Sequence, residues 1–376
     1  MVFMKLKKNK VLPPLSLLLC SLWFLHVDKA LADASVSTPA TAVISADTFG
    51  VSSTVLIGPV IDEGANQDVG AGTIILNAPA GFQFDTSATV AAVVSRLNVG
   101  LGTVLVVSPT VSVTSGAITL TVAAADQADG ATLSRITLSG IAVLPTGGTP
   151  LAGGDITVTT SPHIPGITDS STSFGTLTEV AGVGIKLAFS TQPAGAIYGA
   201  PLAVQPVVQL QDQFGNPSTN GLGSSLPVTL TLNSDNGSLL GTASLDIGLL
   251  AGNGMVAFTN LQITAAAVGD VLTASDGLTN VDSSPFDVAP AVLAASVSAG
   301  DKVYDGSTAA ALTGGTLSGV LGADDVSLSG GTAAFGDKNV GDGKTVTATG
   351  LSLTGAAFGN YVLGSTTATT TAGITP

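Results

Sequence analysis

Carboxylates are the side chains through which this sequence would do chemistry, because little else reactive is present. The 376 residues hold 25 Asp and Glu against 11 Lys and Arg, two His and one Cys. Four acidic loop sites stand out: Asp62-Glu63, Asp126 with Asp129, Asp212, and Asp324-Asp325. Calcium takes several oxygen ligands, and acidic loops supply them. The Gly-Gly-x-Gly-x-Asp pattern of calcium β-rolls and the EF-hand loop are both absent, and solubilising charge is the commoner role of such residues. Ca²⁺ is therefore the one cofactor left open, with no metal ligand assigned. Asp62-Glu63 does not read as a glycosidase pair, because neighbours on a strand point to opposite faces. His163 lies between two prolines in Ser161-Pro162-His163-Ile164-Pro165-Gly166 and reads as a solvated loop histidine. Tyr304-Asp305-Gly306 reads as a turn beside an aromatic packed at a strand edge, since no base or nucleophile accompanies it. No Walker loop, dinucleotide fingerprint or Gly-x-Ser-x-Gly elbow is present. The expectation is a non-enzyme, with no catalytic and no cofactor-binding residue.

The N-terminus reads as an export signal over residues 1–32. Lys5, Lys7, Lys8 and Lys10 form a basic region, residues 15–25 an apolar one, and Ala30-Leu31-Ala32 a small-residue cleavage site before Asp33. Cys20 follows Leu19 rather than a small residue, which disfavours lipidation. Cleavage would take five of the 11 basic and one of the 25 acidic residues, moving the net charge from −14 to −18. It would also remove Cys20, Trp23 and His26, leaving His163 as the last histidine. Disulfides would then be excluded even where export permits them. A histidine-based zinc site and a Ser-His-Asp triad would be disfavoured. Strong acidity opposes nucleic-acid binding. Past the signal no apolar run reaches the roughly 20 residues of a spanning helix.

The elements available to position any site are short strands. Gly numbers 47, aromatics make 4% and charged residues 10% of the chain, which suits many turns and cores of small aliphatic side chains. Residues 33–45 are rich in Ala, Ser and Thr and read as a flexible leader. A first module is expected over 46–182. Residues 73–76 begin a buried strand, Asn77-Ala78-Pro79-Ala80-Gly81 turns the chain, and Phe82 and Phe84 share one face. Ile118, Leu120 and Val122, Ile136 and Leu138, and Ile156 and Val158 alternate likewise, which predicts a β-sandwich. Residues 179–184 read as a hinge. A second module spans 185–288. Leu187 and Phe189 open it, and Gln192-Pro193 breaks that strand. Val208 and Leu210 share a face of a strand that Pro206 predicts to be an edge. Val228, Leu230 and Leu232 alternate before Asn236-Gly237, a hairpin signal. Ala289-Pro290-Ala291 is a short linker into the third module, 292–376. There Leu317, Val320, Val326 and Leu328, then Val346, Leu351 and Leu353, punctuate strands. Asp305-Gly306 and Asp342-Gly343 supply positive-φ turns.

Two stretches carry resemblances. Lys302-Val303-Tyr304-Asp305-Gly306-Ser307-Thr308, Asp337-Lys338-Asn339-Val340-Gly341 with Gly343-Lys344-Thr345-Val346, and Gly359-Asn360-Tyr361-Val362-Leu363 stand in the order of the YDG module of haemagglutinin- and adhesin-type bacterial surface proteins. Leu187-Ala188-Phe189 with Gln192-Pro193, Gln211-Asp212-Gln213-Phe214-Gly215-Asn216, and residues 254–261 resemble the bacterial Ig-like repeats of invasin and intimin type. The first resemblance implies a stalk or adhesive array outside the cell, and the second a spacer sandwich without catalysis.

The sequence thus predicts an all-β mosaic of tandem β-sandwich, Ig-like modules in an elongated, secreted or cell-surface bacterial protein. It would act as an adhesin or stalk segment against a host, matrix or glycan ligand, with no nucleic acid and no membrane span after signal removal. A carbohydrate-binding secreted protein, or a non-catalytic fragment of a larger secreted enzyme, is the alternative. Linkers near 183 and 290 are the expected points of proteolysis.

Overall fold

The computed structural model describes residues 33–65, 68–97, 109–123, 133–234 and 237–376. The expected signal over 1–32, Asp126 with Asp129, and Asn236 lie outside the described residues. The described chain is all-β, in small sheets that follow one another in tandem along an elongated chain. No described helix is long and apolar enough to cross a membrane.

Alternation of apolar and polar residues builds the cores. Ile74 and Leu76 of strand Gly72–Asn77, Ile118 and Leu120 of Ala117–Val122, and Ile136 and Leu138 of Ser134–Ser139 are at most 2% exposed. Phe82 and Phe84 join them. Each such side chain stabilises the fold by roughly 1.5–3 kcal/mol relative to exposure. A second core gathers Val208, Leu210, Val228, Leu230, Leu272 and Phe286. Past Pro290 the core is thinner and splits into three small clusters, around Phe335 and Val346, Leu293 and Tyr361, and Val297 and Leu351. Alanine, glycine and threonine dominate those strands and leave little apolar volume to bury. In the pair Ser327–Phe335 and Gly341–Thr354, Gly331 and Gly350 adopt φ of +92° and +72°, conformations that L side chains rarely take. The register is the same on both sides of this kink.

In each group an early strand runs parallel to a late one. Ala42–Ser45 runs parallel to Thr176–Val180 over four residue pairs. Ala196–Ile197 runs parallel to Phe286–Ala289 over two. Lys302–Val303 runs parallel to Thr367–Thr375 over two, and Ala291–Ala299 runs parallel to Tyr361–Leu363 over three.

Three expectations need correction. Residues 33–45 are no flexible leader. Ser35–Thr38 pairs with Val60–Asp62, Ala42–Ser45 pairs with Thr176–Val180, and Ala34, Ala40 and Ile44 are buried. The Ala, Ser and Thr content concealed the inward positions, of which Ile44 is the one with a large apolar side chain. Pro206 does not mark an edge. It precedes strand Val207–Gln211, which is central between Lys186–Thr191 and Met255–Ala257, and its carbonyl accepts from the Phe258 amide. Tyr304 does follow an edge strand, but it is 48% exposed rather than packed.

Candidate functional site

Two polar constructions lie where one core ends and the next begins. At the first joint, residues 181–185 connect strand Thr176–Val180 to strand Lys186–Thr191. The turn Gln213-Phe214-Gly215-Asn216-Pro217 folds back beneath them because Asp212 organises it. Fully buried, Asp212 accepts the Phe214 and Asn216 amides, each at 2.9 Å, and the Asn216 Nδ2 at 2.8 Å. It also accepts the Gly182 amide of the connector at 2.9 Å. The Ser218 hydroxyl donates to the Gly182 carbonyl, and Asn216 Nδ2 reaches back to the Gly148 carbonyl at 2.6 Å. From the N-terminal side, Asp47 accepts the Val183 amide at 2.7 Å and Gln213 Nε2 at 3.2 Å. Phe49 meets Phe214 edge to face at 6.0 Å. Gly182 and Gly148 are required by contact. A Cβ on the first would strike the Asp47 carboxylate, and one on the second the Phe214 ring. The hinge expected over 179–184 is therefore pinned by carboxylates from both neighbours.

Burial alone would push the Asp212 carboxyl up. The Asn216 side chain and the Gly182, Asn216 and Phe214 amides outweigh it and hold the group below the usual aspartate range. Glu179 behaves oppositely. It is 4% exposed, accepts the Ala152 amide through Oε2 at 2.9 Å, and leaves Oε1 without a hydrogen-bond partner. Burial first, and the nearby Asp212 charge with it, raise its carboxyl against the pull of the Ala152 amide.

The second joint has one residue, Pro290, between strand Phe286–Ala289 and strand Ala291–Ala299. Tyr198 from one side and Tyr361 from the other both donate to Asp324 Oδ2, at 2.8 and 2.5 Å. The two rings stand nearly perpendicular, 5.3 Å apart. The Tyr361 hydroxyl also accepts the Leu321 amide at 2.9 Å, and Asn360 Oδ1 accepts the Ala266 amide across the joint at 3.0 Å. Burial, then the bond to Asp324, pushes the Tyr361 phenol up to about 12 and raises that of Tyr198 as well.

The remaining acidic sites are also engaged by protein donors. Asp62 forms a two-pronged pair with Arg135 at 2.6 and 2.9 Å, and this hydrogen-bonded pair holds its carboxyl low. Buried Glu63 accepts the Val69 and Ser134 amides. Asp325 accepts the Ala356 amide. Lys302 donates to Asp305 at 2.8 Å and to the Ser307 carbonyl, and sits 5.6 Å from the Phe335 ring centre. That pairing, with the Ser307 amide and hydroxyl, takes Asp305 down to about 2. Lys344 and the Asn339 amide converge on Asp337 in the same way. His163 is exposed in its loop. Among the described residues no three His, Cys, Asp or Glu side chains gather as a metal would need. A cleft of about 320 Å³ beside strand Ala291–Ala299 is lined by residues such as Val292, Ser318, Gly364 and Thr367 and holds no ionisable side chain. Sequence reasoning singled out Asp212 and Asp324, but for calcium. It missed Asp47, Glu179, Tyr198 and Asn216 as joint residues, and the turn-forming run of residues 211–217 was the signal that pointed nearest to them.

Such an arrangement fixes neighbouring sandwiches against one another, with the carboxylates and phenols engaged by protein partners. The class is an all-β chain of tandem sandwich-like units. Within it, residues 289–371 are a YDG domain, a match that takes in strand Ala291–Ala299 as well as the three motif clusters. No curated protein sequence matches the chain. Among solved structures it is similar to FdeC, an Escherichia coli adhesin, at 11% identity, covering 90% of this chain and 96% of that one, with a TM-score of 0.29. It is also similar to the I67–I69 fragment of the titin I-band (10% identity, 92% and 99% covered, TM-score 0.22). The pilus adhesin SpaC from Lactobacillus rhamnosus GG gives 15% identity, 77% and 34% coverage, and a TM-score of 0.20. All three scores lie below the level at which two chains share one overall arrangement.

Proposed function

We propose that this chain is an exported bacterial surface or secreted protein that works, without catalysis, as the spacer or stalk segment of an adhesin. The observation that carries the reading is the pair of pinned joints. Asp212 and Asp47 clamp residues 181–185, and Tyr198, Asp324 and Tyr361 close over Pro290. A connector held this way transmits orientation from one sandwich to the next, which is what a stalk requires and a flexible tether lacks. In this reading residues 1–32 are removed before Asp33, and the sandwiches over 46–182, 185–288 and 292–376 are separate modules. The strands at 35–45 join the first, and the middle module is a spacer of the invasin and intimin type. The partner is a host, matrix or glycan surface. A lectin role is disfavoured, because sugar sites use exposed aromatics. Tyr198 and Tyr361 face each other inside a joint, Phe49 packs edge-on against Phe214, and among the described residues Tyr304 and Phe358 are the other exposed rings, with no second ring stacked beside either.

Small-angle scattering on the protein as secreted tests the reading. The expected particle is a rod whose radius of gyration clearly exceeds the compact-globule scaling for its length. A globule with that compact radius overturns it.

A further inference from the structure

We propose that Tyr198 and Tyr361 are a modification site, where a peroxide oxidant joins the two rings as dityrosine and seals the second joint covalently. The observation is the placement of two of the three tyrosines in the chain. They reach the joint from opposite sides of Pro290, with ring centres 5.3 Å apart and planes crossing at 81°. Both hydroxyls donate to the same atom, Asp324 Oδ2, at 2.8 and 2.5 Å. Removing one electron from a phenol places the unpaired spin on the oxygen and on the ring carbons ortho and para to it. In tyrosine the para carbon carries Cβ, so two rings join through their ortho carbons. Each ortho carbon is bonded to the carbon that bears the hydroxyl. Two hydroxyls gathered on one acceptor therefore draw an ortho carbon of each ring toward the other. The product has the same arrangement, with its two hydroxyls flanking the new bond. Rings held this way need only a small approach to react.

Asp324 meets the second requirement. A phenol that loses an electron becomes a strong acid, so its proton must leave with the electron. Oδ2 already accepts both phenol protons. Asp324 is half-buried and passes each proton to water before taking the next. A haem peroxidase with hydrogen peroxide withdraws the electrons one at a time. Tyr198 is the more open ring and Tyr361, 5% exposed, lies against it. The two phenoxyl radicals combine through a carbon–carbon bond, and the ring hydrogens at that bond move to the oxygens and restore both phenols. The pair thus gives up two electrons and two protons, and one peroxide takes them to become two waters. A staple of this kind suits the chain in the oxidising setting that the proposed export implies, because its single cysteine, Cys20, has no second cysteine with which to form a disulfide. Tyr304 is 48% exposed, and among the described residues no ring packs beside it, so it serves as the internal comparison.

Oxidation of the full chain with hydrogen peroxide and a haem peroxidase, at low protein concentration, tests this. The expected product is a monomer lighter by two hydrogen masses, with the blue fluorescence of dityrosine and a peptide map that joins Tyr198 to Tyr361. Tyr304→Phe should give the same product. Tyr198→Phe and Tyr361→Phe should each lose nearly all of it, and because they alter opposite sides of the joint the loss does not hang on how one variant folds. Asp324→Asn keeps a hydrogen-bond acceptor and cannot take a proton, so the monomeric product should form severalfold more slowly. A chain that stays unmodified, or one in which Tyr304 links separate molecules while Tyr198 and Tyr361 stay unjoined, overturns the proposal. An undiminished yield from Tyr198→Phe does the same, and an unchanged rate in Asp324→Asn overturns the part given to the carboxylate. A compact particle in scattering would remove the stalk reading and leave this result untouched, so the two fail separately.

Discussion

The two joints solve one problem with opposite chemistry. At the first, buried carboxylates capture backbone amides: Asp212 holds Gly182 and Asp47 holds Val183. At the second, phenols from both sides donate to one carboxylate, Asp324. The first has a five-residue connector, residues 181–185, and must immobilise its backbone. The second has Pro290, whose φ is already fixed and which has no amide to satisfy, so side chains suffice. Connector length thus decides which groups the joint must bind, and with them the pH at which it weakens.

The sharpest break in this contrast is Asp212→Ala. It strands three amides and the Asn216 amide group in a buried site, and each unsatisfied donor costs about 1–3 kcal/mol. Chemical denaturation should show a loss of about 3 kcal/mol or more in the middle sandwich, with cleavage by a protease newly focused on residues 181–185. A loss confined to the few tenths typical of surface changes would mean that the carboxylate does not organise the joint.

Next in size is Tyr361→Phe, which removes one donor to Asp324 and the acceptor of the Leu321 amide, for a loss of about 1–2 kcal/mol. The pH dependence separates the joints. The phenol is raised in the fold to about 12, so its contribution is complete below the ordinary tyrosine value near 10 and is lost as pH climbs from there through about 12. Wild-type melting should therefore fall over that alkaline window, and less so in Tyr361→Phe. Asp212 is lowered in the fold, so its contribution is present above the ordinary aspartate range and disappears as pH falls through its depressed value. Alkaline melting curves that are parallel in the two proteins would erase the distinction.

The smallest effect sharpens the first joint from within. Glu179 is raised, so its favourable protonated form is held below the ordinary glutamate value and lost as pH rises through the elevated one. Glu179→Gln keeps an acceptor for Ala152 and cannot ionise beside Asp212. A gain of about 0.5–1 kcal/mol at neutral pH is expected, vanishing in acid. Destabilisation by this change at neutral pH would show that the ionised carboxylate is needed.

Strands were legible where burial follows strict alternation, as at Phe82 and Phe84 or at Val346 between Thr345 and Thr347. Asp305 was legible as a turn residue and Asp337 only as part of a family pattern, and the structure adds their role as acceptors for Lys302 and Lys344. The joints were not legible, for a definite reason. Asp47 and Gln213 are 166 positions apart, and Tyr198 and Asp324 are 126 apart, so no local periodicity links them. Asp212 stood out as an acidic loop residue within the Ig-like motif of residues 211–216, but its hold on Gly182 depends on how two sandwiches meet. Glu179 stands at an inward position of its strand, and the amide it accepts there is Ala152, 27 positions away, beyond any local pattern.

Pro290 has a consequence for the faces of the molecule. With one residue of fixed φ between two strands, and Tyr361 and Asn360 docked on the preceding sandwich, the second unit is set at one azimuth about the long axis. A side chain displayed on the middle sandwich then keeps a constant bearing to one on the next. Exposed groups such as Tyr304 point along a compass direction fixed by a single peptide unit, and adding one residue there would rotate everything beyond it to a new heading.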